Sequence, residues 1–231
     1  RSRWTNLHFL GLDIEKSAGR TTDPDALADT NNPTLNNPAC TACHEIMDPV
    51  AGAFQNYGID SYYLESWGGI DSLPELYKYP QDDTVSLYQE GDTWFRDMRD
   101  PGLSGNVAPS GVDSLQWLAA SITEDDRFAR AAVRFWWPSL MKVEVQEAPA
   151  SVQDVYYTEQ LRAFEQQNTD IEALAATFRT SYQLKDLLVE MLMSSWFRAD
   201  AVNTADETRK RELASLGTGA LLTPEELDAK M

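Results

Sequence analysis

Cys40-Thr41-Ala42-Cys43-His44 constrains this chain more than any other stretch: its thiols belong to the only two cysteines in 231 residues, and a histidine follows directly. Residues three apart share one side of a helical turn. Thiols so placed can each bond to one vinyl group of the same porphyrin, while the adjacent imidazole turns onto its iron. The spacing therefore predicts one covalently attached haem c, with Cys40 and Cys43 as attachment points and His44 as proximal iron ligand. The fold must leave room for a macrocycle against that turn.

Other uses of a Cys-x-x-Cys pair fit less well. A closed zinc site needs four ligands, and outside the pentad the chain offers only His8 besides carboxylates. A thioredoxin-type redox pair, the main alternative, follows a strand in a βαβ pattern. Here Asn36-Asn37-Pro38-Ala39 and Glu45-Ile46-Met47 read as a capped helix around the motif. Asp23, Asp25 and Asp29 suggest calcium, but their spacing is not that of an EF-hand and no glycine occupies its turn position.

The formal charge is −18, from 37 acidic and 19 basic residues. Phosphate binding needs a basic face, so nucleic acid is not an expected partner. A redox partner with a basic docking face would be steered towards such a chain, with strong salt dependence. No apolar run approaches the roughly twenty residues that span a bilayer. The most apolar helix, around Leu187 to Phe197, is interrupted by Glu190 and two serines. Haem c is attached outside the cytoplasm, so a periplasmic or extracellular location and an export signal on the full precursor are expected. The chain opens on Arg1, and a capping box at Thr223-Pro224-Glu225-Glu226 opens a helix that stops at Met231. Both ends suggest a piece of a longer polypeptide or assembly.

Turn chemistry and periodicity predict a mainly α fold: a monohaem cytochrome-like module packed on a helical bundle, with long irregular loops. The module is expected over residues 1–110 and the helical region over 111–231. A first helix ends near Gly11, and residues 19–37 read as loop. The haem helix runs from Pro38 to near Met47, because Pro49 disfavours helical geometry at Asp48; a second short helix, N-capped by Asp48, then runs to Asn56. Residues 62–109 read as loops, short helices and a two-stranded ribbon. Beyond them come a helix on Leu115, Leu118, Ala119 and Ile122, and another from Phe128 that stops at Pro138. Further helices are expected near 152–167, 170–180, 184–197 and 205–215, with Thr169 as an N-cap.

The segment from Asn37 to Phe54, Asn-Pro-Ala-Cys-Thr-Ala-Cys-His-Glu-Ile-Met-Asp-Pro-Val-Ala-Gly-Ala-Phe, resembles the haem segment of the large exported c-type cytochrome proteins first noticed in planctomycetes. Those proteins join a cytochrome module to several domains of unknown function. Leu115-Gln116-Trp117-Leu118, Asp126-Arg127-Phe128-Ala129, Phe135-Trp136-Trp137 and the stretch from Leu184 to Arg198 are similar to other parts of that family. The resemblance implies that the chain is the C-terminal portion of such a protein. It says little about reaction chemistry.

The work done by the iron depends on its sixth ligand. Met47 shares the helical face of His44 and so approaches the porphyrin side already taken. Met98, in a loop-prone stretch downstream, is the first candidate, with Arg96 and Arg99 beside it to pair with propionates. Its plain alternative is a gap-filling core methionine. His8 is the alternative distal ligand, or else a half-buried histidine on the first helix. A methionine-ligated iron implies electron transfer to or from a partner protein or domain. An open iron implies a peroxidase- or oxidase-type enzyme, and a purely structural haem implies a stapled subunit of a larger assembly. With His44 committed to iron, only His8 could serve a serine–histidine arrangement, and no nucleophile–base pair stands out.

Overall fold

The structure is a computed structural model that describes residues 1–17, 19–29, 33–57, 99–109, 113–198 and 206–212. The chain is mainly helical, with eleven helices and one two-stranded ribbon among the described residues. It divides into two compact units, Arg1–Phe128 and Ala129–Met231.

The first unit opens with α1 (Ser2–Leu10), α2 (Ile14–Ser17), α3 (Pro24–Leu27), α4 (Pro33–Asn36) and α5 (Pro38–Gly52). Gly11 ends α1 in the left-handed conformation, φ 66°, and its N–H returns to the Leu7 carbonyl at 3.1 Å. The buried residues of α1 are mostly polar: Ser2, Thr5 and Asn6 beside Leu10. Ser2 Oγ donates to the Met47 carbonyl at 2.7 Å, which ties α1 to α5. The stretch expected to be loop carries the two short helices α3 and α4. Each starts on a proline whose fixed φ suits the first helical position, and Asp23 caps α3 by accepting the Asp25 N–H at 3.0 Å.

Helix α5 corrects the expected stop at Met47 and the separate helix after it. It runs unbroken through Pro49 to Gly52 and ends in turns at residues 53–56. A proline inside a helix removes one hydrogen bond and costs about 3 kcal/mol in an isolated helix. Here burial outweighs that cost. Val50 and Ala53, each 1% exposed, pack in a core with Leu10, Leu103, Leu118 and Ile122. Burying the Val50 side chain contributes about 1.5–3 kcal/mol, and the Ala53 methyl adds about 0.8 kcal/mol.

The ribbon pairs β1 (Gly102–Leu103) with β2 (Asn106–Val107) antiparallel, Gly102 opposite Val107. Ser104 and Gly105 join the strands with φ of 53° and 84°, the double positive φ of a type I′ turn. Pro101, just before β1, lies against α5 at Gly52: a Cβ on Gly52 would come within 2.9 Å of the Pro101 ring and 3.0 Å of its Cα. Gly52→Ala is therefore expected to cost about 1–3 kcal/mol through overpacking, seen as a lower urea midpoint with an unchanged slope. The unit closes with α6 (Ser114–Glu124), whose Leu118 and Ile122 complete the core, so it reaches past the boundary expected at 110.

In the second unit lie most of α7 (Asp126–Met141), then α8 (Tyr157–Arg179), α9 (Leu184–Met193), α10 (Ser195–Arg198) and α11 (Glu207–Glu212). Ala129, Val133, Trp137 and Met141 recur every fourth residue on α7. They meet Ile171, Ala175 and Phe178 of α8, Leu187 and Met191 of α9, and Trp196 of α10. α7 passes through Pro138 rather than stopping there, because Trp137 and Met141 on either side are fully buried. α8 likewise runs through Thr169. That residue caps nothing; its hydroxyl donates back to the Glu165 carbonyl at 2.8 Å. The single helix expected over 184–197 breaks instead at Ser194, where extended backbone separates α9 from α10.

Candidate functional site

The Cys-x-x-Cys-His pentad occupies the first two turns of α5. Asn37 caps that helix by accepting the Ala39 N–H at 3.0 Å, and Pro38 fills its first position. An α-helix turns about 100° per residue, which puts Cys40, Cys43, His44 and Met47 on one stripe. Cys40 and Cys43 are free thiols, partly exposed, and the His44 side chain is 31% exposed. The stripe is thus neither sealed in the core nor fully in solvent.

His44 Nδ1 lies 2.8 Å from Oδ1 of Asp48, one turn further along α5. A carboxylate accepts, so Nδ1 is the donor of this bond and Nε2 is the ring nitrogen it leaves unengaged. Asp48 itself is buried. Taken as an N-cap from sequence, it serves instead as the partner of the histidine. The signal was present in the four-residue spacing from His44 to Asp48.

The other candidates fall elsewhere. His8 is exposed on α1, with its ring stacked on that of Trp4 at 5.2 Å. Ser2 and Asn6 mark the opposite, buried side of α1, and the Ser2 hydroxyl reaches α5. Arg99 lies 3.6 Å from Glu45 and donates to the Thr34 carbonyl at 3.5 Å. Glu45 is about 100° round the axis from His44, and Pro49 follows on the same side. Arg99, Glu45 and Pro49 line a cleft of about 460 Å³ between α5 and the ribbon, turned away from the cysteine stripe. Met98 and Arg96 lie outside the described residues.

A second cleft, of about 540 Å³, belongs to the second unit and is lined by Arg162, Gln166, Asp170, Trp196, Arg209 and Glu212 among others. Hydrogen bonds from Arg209 at 2.8 Å and Arg162 at 3.0 Å hold the Glu212 carboxyl below its ordinary range. The Trp196 indole N–H donates to Asp170 at 2.7 Å. These pairs are mutually satisfied and brace α8, α10 and α11 together. Among the described residues, no group of three or more His, Cys, Asp and Glu side chains is arranged to hold a metal ion, and no helix is long and apolar enough to cross a membrane.

No family model, curated protein or solved structure matches this chain.

Proposed function

We propose that the chain is a c-type cytochrome module that carries one covalent haem and passes electrons to or from a partner protein or domain. The observation that carries this reading is the His44–Asp48 pair at 2.8 Å, beside two free thiols on the same helical stripe. It leaves the histidine with one nitrogen engaged and the other available as a ligand.

Each residue then has a definite task. Cys40 and Cys43 each add S–H across a vinyl group, forming a C–S bond while the hydrogen goes to the neighbouring carbon, so attachment needs no oxidant. His44 Nε2 would hold the iron, Met98 would complete its ligand set, and Arg96 would pair with a propionate. When bound, the haem supplies a one-electron iron couple. An excess of 18 negative charges suits a partner with a basic docking face and an association that weakens with salt. The exported location, and membership of a longer polypeptide resembling the planctomycete-type cytochromes, belong to the same proposal.

A second reading, an open-site enzyme of peroxidase type, draws on the same histidine–carboxylate pair, since a more basic histidine would also suit peroxide chemistry at a haem held there. Absorption spectra with and without carbon monoxide separate the two. Electron transfer predicts low-spin ferric and ferrous spectra unaltered by carbon monoxide, and conversion to a high-spin, carbon monoxide-binding form in Met98→Ala. Rapid carbon monoxide binding by the unaltered chain overturns it in favour of the open site.

A further inference from the structure

We propose that Asp48 is a positioning residue that holds the His44 ring with Nε2 turned outward and lowers the reduction potential of iron bound there. This rests on the haem reading above. The Oδ1···Nδ1 distance is 2.8 Å, Asp48 is 6% exposed, and the imidazole is its hydrogen-bond partner among the described residues. Removing a carboxylate from water is costly unless it is hydrogen-bonded, so the pair is held from both sides: the histidine satisfies the buried acid and the acid orients the histidine.

The position is an expensive one for an aspartate. Asp48 stands in mid-helix directly before Pro49, where the helical conformation is disfavoured, and aspartate is a weak helix former. What the position supplies is a fixed geometry. Residues four apart on α5 are neighbours without any loop being ordered, so the ring orientation is built into the helix that also carries both thiols.

A carboxylate acceptor makes the imidazole a more basic ligand than a neutral acceptor does. Greater donation from Nε2, and the negative charge behind the ring, both favour the more highly charged ferric iron. Asp48 therefore biases the module towards giving electrons up.

Asp48→Asn keeps the shape and an acceptor oxygen but removes the charge; Asp48→Ala removes the partner altogether. Spectroelectrochemical titration of both variants and the parent, each with covalent haem content measured, tests the proposal. The ferrous-to-ferric ratio at a fixed applied potential should rise about tenfold in Asp48→Asn, about 59 mV for a one-electron couple, and further in Asp48→Ala. A fold merely loosened to admit water would shift the other way, because water stabilises the more charged ferric state. If Asp48→Asn retains its haem and its potential is unchanged or lower, the role of Asp48 is overturned and the haem reading stands. A parent chain without covalent haem overturns the haem reading itself.

Discussion

Replacing both Cys40 and Cys43 with alanine is expected to abolish covalent haem completely while leaving α5 folded. Both thiols are free and partly exposed, so neither substitution opens a core cavity, and alanine is the best helix former. The Asn37 cap and the His44–Asp48 pair are untouched by the change. His44 alone can still ligate iron, so some haem should copurify, but acidified organic solvent should strip all of it from the double variant and none from the parent. Each single variant should keep one thioether, with a reduced-minus-oxidised α band displaced from that of the parent. Full haem retention in the denatured double variant would remove the role given to the cysteines.

The second large effect concerns the core of the other unit. Trp137 is fully buried, with its ring 5.5 Å from that of Trp196 in an edge-to-face arrangement and contacts to the α8 and α9 faces. Trp137→Ala is expected to destabilise this unit by about 3–5 kcal/mol, a sum of lost transfer energy and residual cavity. Trp137→Phe should cost much less. The indole N–H has no acceptor among the described residues, so the phenyl ring removes an uncompensated donor while keeping most of the packing. Urea unfolding followed by far-ultraviolet circular dichroism measures both. Equal losses for the two variants would mean that ring packing against Trp196 is not what holds this core.

Both expectations trace to signals that differ in how local they are. The cysteine–histidine pentad, the Asn37-Pro38 start of α5 and the Gly11 stop of α1 were legible in sequence, because each depends on residues within one turn. The buried face of α7 was not: a helix stopped at Pro138 loses Met141, and the four-residue rhythm of Ala129, Val133, Trp137 and Met141 emerges only when the helix is continuous.

Misreadings clustered where a local rule met tertiary burial. Pro49 and Pro138 read as helix stops, yet Val50 and Ala53 in one core, and Trp137 and Met141 in the other, hold the helix through each proline. Losing the continuity of α5 also hid the Asp48 partner of His44. Once a helix is thought to end at Met47, the two residues no longer share a face. Thr169 shows the same ambiguity on a smaller scale, since a hydroxyl that can cap a helix start can equally bond back to the preceding turn. The Trp196–Asp170 and Arg162–Glu212 pairs join residues far apart in sequence and leave no periodic trace.

Intact-mass spectrometry of the denatured chain, produced in a host that exports proteins and ligates haem c, tests the central claim most directly. The expected result is a single species heavier than the polypeptide by one haem, with both thiols refractory to alkylation and the modification mapped to the peptide containing Cys40 and Cys43. A species at the bare polypeptide mass, with both cysteines fully alkylated, would contradict it.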